Sequence, residues 1–166
     1  MLSVDATITE SKPKIYDLYM KNLKKATEKG VVAGFPKGKL NTPHYESDQP
    51  GEPGPSIIDV ALWNNFGIGV PRRDFMTPAS KRWQKYFNES LDALRKELAK
   101  DESRIEVFLR KMGEKGADFI SQEIVALRIP PNSPKTIRLK GSSNPLVDSG
   151  DMQRAATYQI RRRDKR

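Results

Sequence analysis

Few residues in this chain could do chemistry. One histidine, His44, stands with Glu46, Asp48 and Glu52 in a proline-rich stretch, and carboxylate oxygens of that kind can hold a hard cation. The stretch lacks a glycine-punctuated ligand loop and its prolines work against a compact cage, so it reads as a solvated acidic loop. Lys37, Gly38 and Lys39 carry the charge of a phosphate loop without its spacing, since neither G-x-x-x-x-G-K-[ST] nor G-x-G-x-x-G is present. There is no cysteine, which removes disulfides, thiolate nucleophiles and cysteine-held metals. No catalytic, metal or cofactor residue is expected, and the chain is not expected to be an enzyme.

What the sequence does hold is positive charge, 30 Lys and Arg against 21 Asp and Glu, or +9 at pH 7. The basic residues gather at Arg72 and Arg73, from Arg128 through Lys135, Arg138 and Lys140, and at Arg161, Arg162, Arg163, Lys165 and Arg166. Such runs can neutralise phosphates or meet an acidic protein partner. No predicted helix carries a sustained basic face and no aromatics interleave with the basic runs for base stacking, so sequence-specific DNA recognition is not expected.

The elements that must position these residues follow from periodicity. The 166 residues fit one domain, and no apolar run approaches the roughly 18 residues of a membrane span, so neither a membrane protein nor a classically secreted one is expected. Leu2, Val4, Ala6 and Ile8 alternate with polar residues and predict a strand over 2–8. Ser11 and Pro13 then open a helix whose face is Ile15, Leu18, Tyr19, Leu23 and Ala26, with Gly30 as a left-handed stop. A strand is expected over 31–35, and the five prolines and three glycines of 36–56 make that segment a long loop.

Ser56 and Asp59 have capping-box spacing in front of a short, nearly all-apolar helix that would bury Trp63 and end at Asn65 and Gly67. A helix is expected over about 78–100, opened by Thr77 and Pro78, with Trp83, Tyr86 and Phe87 read as core. Ser103 and Glu106 suggest another over about 104–127, with Ile105, Phe108, Leu109, Met112, Gly116, Phe119, Ile120 and Ile124 on one face. Gly113 and Gly116 within it call for a close contact or a kink. Residues 128–152 read as irregular, 154–161 as a strand and 161–166 as a basic tail. The sum is an α+β domain: a small, mainly antiparallel sheet packed against two longer helices, with long loops at 36–56 and 128–152.

Two segments carry a resemblance. In ALWNNFGIGVPRRDFM, residues 61–76, a short helix ends on Asn65, Phe66 and Gly67 and an extended turn follows with Pro71, Arg73, Phe75 and Met76. PPNSPKTIRLKGSSNPLVDSGDM, residues 130–152, runs through Asn132, Ser133, Lys140 and Asp148. Both resemble the tail-completion or virion-morphogenesis proteins at the neck of long-tailed bacteriophages. Arg72 and Asp74 stand where that family usually has prolines, and Ser149 where it has Thr.

The resemblance implies a structural virion protein: a homo-oligomeric ring, a hexamer or dodecamer, that joins tail to head. Its partners would be head-completion or connector proteins and the tail terminator or tube, with double-stranded DNA passing through the lumen unread and no membrane involved. It would be assembled in the bacterial cytoplasm and reside in the virion. Asn65, Phe66, Gly67, Pro71, Arg72, Arg73, Phe75, Asn132, Ser133, Lys135, Arg138, Lys140 and Asp148 are then candidate assembly residues; the basic end, Arg161, Arg162, Arg163, Lys165 and Arg166, is not part of the resemblance, and its charge alone makes it a candidate contact for DNA or an acidic partner. Within that frame Gly67 would leave the helix at positive φ, Pro71 would fix the connector and Phe75 would anchor it. Asp148 would accept backbone N–H bonds, and Arg73 would stand exposed. The alternatives are a small basic nucleic-acid-binding protein and, less favoured by the lone histidine, a metal-dependent nuclease.

Overall fold

A computed structural model describes residues 14–36, 42, 43, 47, 50–100 and 102–162. The expected strand over 2–8, the His44, Glu46 and Asp48 cluster and the end of the basic tail at Arg163, Lys165 and Arg166 lie outside the described residues. The architecture is α+β: among the described residues, seven helices and a two-stranded antiparallel sheet. In chain order these are α1 (Lys14–Glu28), β1 (Lys29–Gly34), α2 (Ile57–Phe66), α3 (Met76–Glu89), α4 (Leu91–Leu98), α5 (Glu102–Ala126), α6 (Pro134–Lys140), α7 (Asp151–Ala155) and β2 (Thr157–Arg162).

α5 is the spine. It buries Ile105, Phe108, Met112, Ile120 and Ile124, the stripe its periodicity predicts. The same helix packs against β1, β2 and α3. Gly113 and Gly116 make that approach possible. A Cβ on Gly116 would meet the Ala33 Cβ of β1 at 2.6 Å and the Trp83 ring of α3 at 2.8 Å, while one on Gly113 would run into the Tyr158 ring of β2. The glycines therefore serve a three-way contact, and their weaker helix propensity is the cost of closeness. α3 is tied down by the Trp83 indole N–H, which donates to the Met112 carbonyl at 2.8 Å, and by Arg82, which pairs with Glu123 at 2.8 Å and lies 4.5 Å over the Phe119 ring.

Several elements differ from their sequence reading. Gly30 does not stop α1; it lies in β1, paired with Arg161, so the helix passes straight into the strand. The expected helix over 78–100 is two, α3 and α4, broken where the Ser90 hydroxyl donates back to the Tyr86 carbonyl at 2.8 Å. Ser103 falls inside the first turn of α5. The 128–152 stretch contains α6, which has good caps but only seven residues, too short for a periodic apolar face. The expected strand over 154–161 is shifted: residues 151–155 form α7 after the left-handed Gly150, and β2 starts at Thr157. Arg161 and Arg162 are paired strand residues, with Arg162 opposite Lys29.

Trp63 is 39% exposed because α2 buries only Ile57, Ala61 and Asn65, and Phe87 is also exposed.

Gly116→Ala is expected to destabilise the fold by roughly 1–3 kcal/mol through overpacking, read by urea unfolding. A variant as stable as the parent would show that α5, β1 and α3 do not meet this closely.

Candidate assembly site

The two resembling segments, far apart in sequence, meet around one buried side chain. The first begins with α2. Ser56 caps it, its hydroxyl accepting the Asp59 N–H at 3.2 Å, and the Asp59 carboxylate accepts the Ser56 N–H at 2.9 Å, closing the expected capping box. The hydroxyl and backbone bonds from Ser56 hold the Asp59 carboxyl below its ordinary value, outweighing burial. Gly67 ends the helix at φ 76°, with Arg72 packed where a side chain would stand. The connector does not run extended from the helix as expected: it bends through residues 67–70, with Gly69 also left-handed at φ 69°, and continues without regular structure to Phe75, which is 1% exposed and meets the Phe35 ring edge-on at 6.2 Å. Asn65 is buried and its carbonyl oxygen accepts the Met76 N–H at 3.1 Å; Asp74 accepts the Thr77 N–H at 3.0 Å, supplying the cap of α3. Burial raises the Asp74 carboxyl, but the Thr77 and Arg72 bonds prevail and leave it lowered.

Arg73 overturns its expected place. It is 7% exposed, and its guanidinium donates to the carbonyls of Pro130 at 3.2 Å and Pro131 at 3.4 Å, to Asn64 Oδ1 at 3.0 Å and to Asn132 Oδ1 at 3.0 Å. Its own N–H bonds the Asn64 carbonyl at 2.7 Å. No carboxylate pairs with it among the described residues. Burial works against its charge, yet a guanidinium does not release its proton, so neutral oxygens must replace the lost water.

The second segment is braced from within. Asn132 donates to the Asn144 carbonyl at 3.3 Å, and Asn144 reaches the end of α5 through the Val125 carbonyl at 3.0 Å. Asn144 Oδ1 also accepts the N–H groups of Leu146 and Val147. Ser133 caps α6 by accepting the Thr136 N–H at 3.1 Å, Pro134 occupies its first turn and Gly141 ends it at φ 69°. Lys140 is half-buried and donates to the carbonyls of Asn144 and Pro145, both at 3.2 Å. Burial pushes its ammonium down, Asp148 opposes this and Arg73 adds to it. Leu146 and Met152 enter the core beside Ile57, Phe75 and Ile124.

Between the segments lies a cleft of about 280 Å³, in which Asn64, Arg73, Thr136, Lys140, Asp148 and Asp151 stand among apolar residues such as Val60, Val70 and Leu146. Asp148 is exposed at its rim and accepts no N–H bond among the described residues; Asn144, Ser149 and Asp151 hold the turn instead. Lys135 and Arg138 project outward from α6, and Arg72 is exposed and pairs with Asp74. Asn64 and Asn144 were missed in the sequence; the one available signal was Asn144 standing before Pro145, a turn-forming pair. Among the described residues no group of three or more His, Asp and Glu side chains could hold a metal, and no helix is long and apolar enough to cross a membrane. Set against models of known families, curated proteins and solved structures, the chain matches none.

Replacing Arg73 by Ala removes the donor from four oxygens at once and is expected to cost roughly 3–5 kcal/mol in urea unfolding, with Arg73→Asp worse. A loss below about 1 kcal/mol would show that the guanidinium does not hold the segments together. Ser56→Ala should cost about 1 kcal/mol. Because the Asp59 carboxyl is lowered in the fold, its contribution is present above the ordinary carboxylate range and fades as pH falls through the folded value. The stability gap between Asp59→Asn and the parent should therefore be present at neutral pH and close in strong acid; a gap unchanged with pH would exclude an ionised cap.

Proposed function

We propose that the chain is a non-enzymatic structural protein of a long-tailed bacteriophage virion, a tail-completion or neck component that assembles as a ring between head and tail and lets double-stranded DNA pass. One observation carries this reading. The two segments that resemble the neck proteins, residues 61–76 and 130–152, are the two that Arg73 joins around one cleft. Residues matched one by one in the resemblance have physical tasks here: Gly67 turns the chain, Phe75 anchors it, Asn132 receives Arg73 and Ser133 caps α6. The arrangement is built of caps, turns and a clamp, which suits a surface that must hold its shape against a partner.

A second reading, a basic nucleic-acid-binding protein, draws support from Lys29, Arg161 and Arg162, exposed together at one end of the β1–β2 pair.

Light scattering across concentration and salt, with and without head and tail particles, separates the two. A ring, or a monomer that multimerises on the particles, is the expected result. A persistent monomer that ignores the particles and binds DNA with a slope of roughly −0.9 per phosphate contacted would overturn the neck reading in favour of the second.

A further inference from the structure

The cleft between the two segments is lined by two cations that are bonded, among the described residues, only to uncharged oxygens: the buried Arg73 and the half-buried Lys140. Neither uses all its donors. A guanidinium carries five N–H groups and an ammonium three. Arg73 engages Nε once, Nη2 twice and Nη1 once, which leaves one N–H on Nη1, and Lys140 engages two and leaves one. Pro130, Pro131 and Asn132, the acceptors of Nε and Nη2, do not line the cleft, whereas Asn64, the acceptor of Nη1, does. The unengaged edge of the guanidinium is therefore the one on the cleft side. Burial works against both charges, and Arg73 further disfavours the charge on Lys140. Of the two acids on the lining, Asp151 is paired with Arg154, and Asp148 at the rim acts on Lys140 through space without bonding it.

We propose that this cleft binds a carboxylate carried on an aliphatic stem, received by Arg73 Nη1 and Lys140 Nζ, and that its source is an acidic side chain of a partner protein. Such an anion would accept charge-assisted hydrogen bonds from both cations and offset their mutual repulsion. Three observations select this guest. Val60, Val70, Leu146 and Met152 stand in the lining beside the polar groups, so a charged end and an apolar stem are both accommodated. The volume of about 280 Å³ falls just short of the roughly 300–1,000 Å³ of sites that take whole small molecules, which suits one side chain better than a nucleotide. Depth separates protein from nucleic acid. Duplex phosphates lie on the outside of a wide cylinder and cannot follow a guanidinium that is 7% exposed, whereas a projecting side chain can. Asp148 at the rim also repels a run of phosphates more than it repels one carboxylate. That the partner belongs to head or tail rests on the neck reading; the preference for a carboxylate rests on the cleft alone.

The test is an NMR titration of the isotope-labelled full chain with hexanoate, and with hexanamide as its uncharged twin. Hexanoate is expected to shift the Arg73 Nε–H signal and the backbone N–H signals of Thr136, Lys140 and Asp148 saturably, while hexanamide at the same concentration leaves them in place. Lys140→Gln removes one of the two charged donors and should weaken hexanoate binding roughly fivefold or more. Asp148→Asn removes a like charge at the rim and should tighten it about twofold. Asp148 is exposed and accepts no hydrogen bond among the described residues, so this variant decides the matter even where Lys140→Gln fails to fold. Equal shifts from hexanamide, or hexanoate binding indifferent to these substitutions, would overturn the site. Inorganic phosphate or a short DNA duplex that displaces hexanoate at lower concentration would overturn the carboxylate in favour of a phosphate. To test the source, parent and Lys140→Gln are mixed with head and tail particles, and the parent alone is expected to join them. A Lys140→Gln protein that joins as the parent does would overturn a partner's carboxylate as the guest. Parent protein that joins particles without binding hexanoate would overturn the cleft and leave the neck reading standing. Protein that binds hexanoate and ignores the particles would support the cleft and overturn that reading, and protein that does neither would overturn both.

Discussion

A single buried cation organises the part of this molecule that its sequence marks out. Arg73 keeps its charge wherever it is placed, and removing it from water demands oxygen atoms in return. The carbonyls of Pro130 and Pro131 are well suited, since the prolines break the helical pattern that would otherwise have engaged those oxygens along α5. Asn64 and Asn132 supply the remaining acceptors from either side. With the guanidinium fixed, the connector from Gly67 to Phe75 has one course, Phe75 has one place in the core, and α3 starts where Asp74 and Asn65 receive its first N–H groups. On the far side, Asn132 passes the constraint to Asn144 and so to the end of α5.

This arrangement inverts the usual distribution of polarity around a site. Arg73, Asn65 and Asn132 are inside, while Phe66, Ile68, Ile129 and Leu139 are outside. Hydrogen bonds do the shaping, and large apolar groups are left exposed around it. Basic residues, by contrast, are spread over α1, the β1–β2 pair and α6.

Much of this was legible beforehand, for identifiable reasons. Signals that act within a few residues were read correctly: the Ser56–Asp59 box, the left-handed Gly67, the buried stripe of α5 and the anchoring Phe75. What failed were signals settled by distant partners. Arg73 looked exposed because three of its acceptors, on Pro130, Pro131 and Asn132, lie more than fifty residues away. Trp63 looked buried because α2 is apolar all round, and sequence cannot say which side finds a partner. Gly113 and Gly116 announced a close contact, but that the neighbours would be Tyr158, Ala33 and Trp83 depended on β2 and α3. The Ser90 break and the short α6 escaped because neither interrupts or establishes a periodic pattern long enough to notice.

The pairing of β1 with β2 has a consequence for how the chain is made. Residues 29–34 wait for residues 157–162, so the sheet is among the least local contacts in the fold, and loop-closure entropy delays its formation. Leu146 and Met152 likewise enter the core from late in the chain. A ribosome must therefore deliver nearly all of the described polypeptide before α5 can be covered on its strand side or the cleft can exist. Prematurely terminated products lack β2, Leu146 and Met152, and so can complete neither the sheet, nor the core, nor the cleft.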